Sequence, residues 1–174
     1  FKSIAACFRN RSFLLFEVIS FSVIFIQTIL LQGVIYYFDE FTVPMTLCYA
    51  ALLLGAGGGM VLWITGREKL GVRKCALLMC TIAGFGALMM MSLGAHTVFA
   101  VTAFLAVGVG FAGGMYLIPI INGDVMDYDE SVTGLRREGM YAGVNSFITK
   151  PAISLANAAF LMILKWFGYN QELG

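Results

Sequence analysis

Residues 123–138 hold the densest set of side chains that could do chemistry. Asp124, Asp127, Asp129, Glu130 and Glu138 stand close to Arg136 and Arg137. Carboxylates at this spacing could ligate Ca²⁺, serve as acid and base in a hydrolase, or exchange salt bridges with the arginines. A calcium loop needs alternating oxygen ligands about a central glycine, and GDVMDYDESVTG does not have that pattern. A hydrolase needs a nucleophile or an oxyanion pocket, and neither is in view beside these acids. Two readings stay open: a solvated loop, or a gate whose bridges form in one state and break in another.

The second residue that needs a chemical account is Lys150. It interrupts a long apolar run with an ammonium group. In a helix starting near Gly139 it lies ~16 Å along the axis at 1.5 Å per residue. That is mid-depth in a bilayer, where a charge costs at least ~2.5–3.5 kcal/mol. The lysine stem is too short to snorkel from there, so the group faces a water-filled cavity or an acidic partner. Asn145, Ser146 and Thr149 precede it, and Ser146, Lys150 and Ser154 recur at four-residue intervals as a polar stripe. Pro151 removes a backbone donor beside the lysine and predicts a bend there. A buried charge, a polar stripe and a kink are what a solute pathway needs.

The elements that position these groups follow from composition. The chain of 174 residues is 60% hydrophobic and 12% charged, with a mean hydropathy of +0.87. Soluble domains carry about a quarter charged residues, so the solvent of this chain is the lipid bilayer. The net charge of +1 excludes a basic surface for nucleic acid. Cys7, Cys48, Cys75, Cys80 and the lone His96 form no ligand cluster, so no metal site is expected and the cysteines read as reduced thiols.

A crossing helix needs ~20 mostly apolar residues. Five stretches qualify, at about 13–38, 43–64, 75–93, 98–121 and 140–167. Backbone groups in lipid must bond within their own segment, so each is expected to be a helix. The basic flank of Lys2, Arg9 and Arg11, the basic link GREKLGVRK and the charged link 122–138 are expected on the cytoplasmic side, and the Asp39–Glu40 turn outside. Phe1 stands where a methionine would start a chain, and five spans are too few for a complete bundle. The sequence therefore reads as a piece of a longer chain with at least one helix after Gly174.

Within the spans, Gly55 with Gly59 and Gly110 with Gly114 have the spacing that lets helix backbones approach closely, for tight packing or for sliding. Tyr36, Tyr37, Trp63 and Trp166 read as interface anchors. Glu17 lies near the start of span one, where snorkelling or an interfacial ion pair accounts for it. Gln27 and Gln32 sit deeper, as ties between helices or as part of a solute path.

The stretch GDVMDYDESVTGLRREGMYAGVNSFITK resembles the link between the tenth and eleventh helices of the glycoside–pentoside–hexuronide:cation symporters, the melibiose-permease-like branch of the major facilitator superfamily. That family favours D-x-x-D-Y-x-E, then T-G-x-R-x-E-G, then an aromatic-rich helix carrying a lysine. Those positions are Asp124, Asp127, Tyr128, Glu130, Thr133, Gly134, Arg136, Glu138, Gly139 and Lys150 here. FKSIAACFRNRSF resembles the approach to the family's seventh helix, and GREKLGVRK the basic link after its eighth.

The resemblance implies an all-α membrane protein made of spans seven to eleven of a twelve-helix carrier, with the N-terminal half and the last helix absent. It implies symport of a sugar or related small solute with Na⁺ or H⁺, a monovalent cation held mainly by acids of the absent half. Lys150, Ser146, Thr149, Asn145, Tyr116, Met115 and Gln27 would line the cavity for solute and cation. Asp124, Asp127, Glu130, Arg136, Arg137 and Glu138 would form the cytoplasmic gate. Sugar carriers of the family tend to have tryptophan on the tenth helix, where this chain has Met115 and Tyr116, so a lysophospholipid-type solute is the alternative. A membrane enzyme built on the acidic link, or a non-transporting subunit, are the rivals from other classes. The piece alone is expected to be inactive.

Overall fold

The computed structural model describes residues 10–167, and all of its regular structure is helical; no strand occurs among the described residues. Five helices follow one another: α1 Arg11–Glu40, α2 Met45–Leu70, α3 Val72–Leu93, α4 Thr97–Thr133 and α5 Glu138–Trp166. Each is long and apolar enough to cross a membrane. Their outward surfaces are greasy: Leu53, Phe85 and Met91 are among many large apolar side chains left exposed. Water would penalise such a surface, and hydrocarbon does not. Lys2, Cys7, Arg9 and the tail after Phe167 lie outside the described residues.

The helix ends have local causes. Asn10 caps α1: its Oδ1 accepts from the Ser12 amide at 3.0 Å and the Phe13 amide at 3.3 Å, satisfying two of the free N–H groups of the first turn. Gly71 at φ 79° ends α2, and Gly134 at φ 67° ends α4. A left-handed φ costs glycine nothing and stops the helix. The Gly134 amide still donates back to the Glu130 carbonyl at 2.8 Å.

These stops correct two expected boundaries. The charged link 122–138 is not a loop: α4 runs on from Ile121 to Thr133, leaving only Gly134–Arg137 between helices. GREKLGVRK is likewise helical apart from Gly71. Charge ends an apolar run but does not break a helix, and neither stretch has a strong breaker before its left-handed glycine.

The chain divides into two compact units. Among the described residues one comprises 10–36 and 122–167, and the other is Tyr37–Ile121. In the second unit the core is made by glycine-mediated approach. A Cβ on Gly55 would collide with the Leu105 carbonyl, and one on Gly108 with the Leu52 carbonyl, so α2 and α4 touch backbone to backbone. A Cβ on Gly59 would lie 2.8 Å from the Val109 Cα, and one on Gly110 would lie 2.5 Å from the Ala83 Cβ of α3. Tyr37 donates its hydroxyl to the Gly94 carbonyl at 2.6 Å, with its ring 5.5 Å from that of Phe104. Trp63 corrects another expectation. It is only 1% exposed, and its Nε1 donates to the Val109 carbonyl at 2.8 Å, so it ties α2 to α4 and is no interface anchor. Trp166, by contrast, is largely exposed. Cys48, Cys75 and Cys80 are free thiols.

In the first unit α1 and α5 form a parallel seam. Contacts climb both helices in the same order. Asn10 donates to the Tyr141 hydroxyl at 3.4 Å, and the Phe13 and Tyr141 rings meet edge-on at 4.6 Å. Further along, Ser20 donates to Asn145 Oδ1 at 3.4 Å, Gln32 Nε2 donates to Asn157 Oδ1, and Tyr36 and Phe160 lie 5.3 Å apart. Gln32 is therefore a tie between helices.

Candidate functional site

Lys150 stands on α5, the helix Glu138–Trp166. It lies ~18 Å beyond the helix start at 1.5 Å per residue. The helix has two chemically distinct faces. Tyr141, Ala152, Ala156 and Phe160 are buried. Ser146, Lys150 and Ser154 are all exposed, and four-residue spacing puts them above one another on one side. Lys150, Pro151, Ser154 and Leu155 line an open hollow. Among the described residues no carboxylate pairs with the ammonium.

α5 continues through Pro151. Proline has no N–H to give, so the Phe147 carbonyl four residues earlier loses its helical donor. Pro119 lies inside α4 in the same way, and the carbonyl it leaves without a donor is that of Met115. Phe147 and Met115 are both exposed. Each helix therefore has one backbone carbonyl without its usual helical donor. The proline at 119 was legible in the sequence, yet its effect on Met115 is missed by any reading that looks only at side chains.

The other expected cavity residues sit as follows. Asn145 is engaged by Ser20 in the α1–α5 seam. Thr149 is half-buried and donates to the Asn145 backbone carbonyl at 2.8 Å. Both thus lie off the exposed stripe of Ser146, Lys150 and Ser154. Gln27 is half-buried on α1 and is not without a partner there. Met115 is exposed and Tyr116 half-buried on α4, in the other unit.

Of the expected gate residues, Arg136, Glu138 and Glu130 come together. Arg136 Nε donates to Glu138 Oε1 at 2.8 Å, Nη2 reaches the same oxygen, and Nη1 lies 3.7 Å from Glu130 Oε2. The hydrogen bond to Glu138, then the charges of Glu138 and Glu130, push the Arg136 guanidinium above its ordinary range. All three side chains are well exposed, so water screens the cluster. It joins the last turns of α4 to the first of α5 across the short link. Arg137 is half-buried just ahead of α5, while Asp124 and Asp127 are exposed on α4. Asp129, outside the expected gate, is buried.

Glu17 overturns its expectation. It is 4% exposed, and among the described residues neither carboxylate oxygen has a hydrogen-bond partner. Composition alone signals a carboxylate in a span. Its burial depends on tertiary packing, which no local pattern carries.

Five membrane-length helices with apolar outer faces make this an integral membrane protein of all-helical fold. The family model described as MFS/sugar transport protein matches residues 1–174. The chain belongs to that family and is a transporter of the major facilitator superfamily. No curated protein and no solved structure matches it.

Proposed function

We propose that the chain is the C-terminal half of a melibiose-permease-like symporter, moving a sugar or related small solute together with Na⁺ or H⁺ by alternating access. In this reading the N-terminal half of the same carrier completes the site and supplies the acids that hold the cation. The N-terminal end of α1 and the charged link 122–138 face the cytoplasm. The observation that carries the reading is Lys150, an exposed ammonium deep in a transporter helix, beside Pro151 and between Ser146 and Ser154. A charge there is too costly to face lipid. An aqueous solute cavity gives it water, and an acid of the other half gives it a counter-charge.

The roles follow from chemistry. Lys150 sets the charge of the cavity, so that a bound monovalent cation changes the field the solute meets. Ser146, Ser154 and the freed Phe147 carbonyl offer the hydrogen bonds that sugar hydroxyls require. Arg136 with Glu130 and Glu138 forms a clasp that holds in one state and parts in the other. Cation binding favours the state that accepts solute, which is how one gradient drives the other.

The test is uptake of a labelled sugar panel by sealed vesicles holding the full-length carrier, with and without a Na⁺ or H⁺ gradient. Gradient-dependent accumulation of one sugar is expected. No accumulation in sealed vesicles with folded protein removes the sugar reading and turns the search to lysophospholipids.

A further inference from the structure

We propose that Glu17 is a proton-binding site inside this half of the carrier, separate from the cation site expected in the other half. Glu17 lies one turn beyond Phe13 and three residues before Ser20, on the stretch of α1 that meets α5. Phe13 packs on Tyr141 and Ser20 donates to Asn145, so the carboxyl group is closed in between two seam contacts. Both of its oxygens are buried without a hydrogen bond among the described residues. A bare carboxylate in such a place is strongly disfavoured, and it is neutralised by a cation or by a proton.

Among the described residues the seam offers no cation. On α5 the groups that meet this stretch of α1 are Tyr141, against Phe13, and the uncharged Asn145, against Ser20. The charged residues at the end of α4, in the same unit, are all acids, Asp124, Asp127, Asp129 and Glu130, of which Asp129 is buried with one oxygen unpartnered among the described residues. Arg136 is taken by Glu130 and Glu138. Arg11 and Lys150 point outward as exposed side chains. The residue is 4% exposed, which leaves little surface for a partner to reach. In this Glu17 differs from Lys150, which is open to the outside. The remaining neutraliser is a proton, taken up when the seam is closed and given to water when it parts.

This deepens the carrier reading by naming a proton among its ions, and the last part rests on alternating access. The proton itself does not, so the first readout is independent of transport. Infrared spectra of the full-length carrier in membranes are expected to show the carbonyl band of a protonated carboxylic acid at neutral pH. The band is lost in Glu17→Gln and shifted in Glu17→Asp, which assigns it even if one of the two variants is not recovered folded. No such band in the wild type, or a band that neither variant alters, overturns the proposal. In sealed vesicles the wild-type uptake rate is expected to change severalfold between mildly acidic and alkaline pH, and Glu17→Gln to flatten that profile. An unchanged profile overturns the release step while leaving the band, and the carrier reading, to stand on their own results.

Discussion

Trp63 donates its indole N–H to the Val109 backbone carbonyl at 2.8 Å, and the close pairs Gly55 with Leu105 and Gly108 with Leu52 lie further along the same contact. One hydrogen bond and a run of missing side chains thus hold α2 on α4. In lipid there is little hydrophobic gain in bringing two apolar helices together, so packing depends on how closely the backbones approach.

Replacing Gly108 by leucine is therefore expected to destabilise the protein by ~1–3 kcal/mol, the usual range for overpacking a tight contact. Gly57, with open space around it, is the control. Thermal unfolding in detergent checks both, and equal melting temperatures for the two variants would refute backbone contact at Gly108.

Neutralising Lys150 to glutamine is expected to abolish or uncouple uptake while leaving expression and melting unchanged. The side chain is exposed, so it holds no packing together. Full gradient-driven uptake by this variant would remove the lysine from the mechanism.

Neutralising Arg136 or Glu138 is expected to alter the rate of transport a few-fold with little effect on solute affinity. The clasp is solvent-exposed, so added salt mimics the variants in the wild type and has less effect in them. Stopped-flow uptake against ionic strength reads this, and identical rates in wild type and variants would rule out the clasp.

Gln32 and Asn157 join α1 to α5 by side chains alone. A double-mutant cycle to alanine is expected to give a coupling of ~0.6 kcal/mol, typical of interhelical bonds in membranes. A coupling of zero would mean the two residues contribute separately.

Much of this architecture was legible in the sequence. Five apolar runs of crossing length predict five helices, because lipid leaves the backbone no other way to satisfy its groups. Gly55, Gly59 and Gly110 announced close packing by their spacing. What could not be read were the places where helices stop and the partners across space. The apolar run ends near Ile121, but α4 continues to Thr133 because charge does not break a helix. The same shift carries α2 on to Leu70, so Trp63, which lies near the end of the apolar run, sits within the helix and inside the core. Lys150 stood out because its cost depends on depth alone. Glu17 did not, because its burial depends on which helix lies beside it.

Between α2 and α3 a single residue, Gly71, is non-helical. Arg67 and Lys69 lie in the last turn of α2, and Arg73 and Lys74 in the first turn of α3. The first pair suits the negative end of its helix dipole, while the second opposes the positive end of its own. With one residue between the helices, the backbones that carry these four cations stay close together. Together with Glu68 they give the turn of the hairpin a net positive charge, so a charged lipid surface would act on the hairpin as a whole.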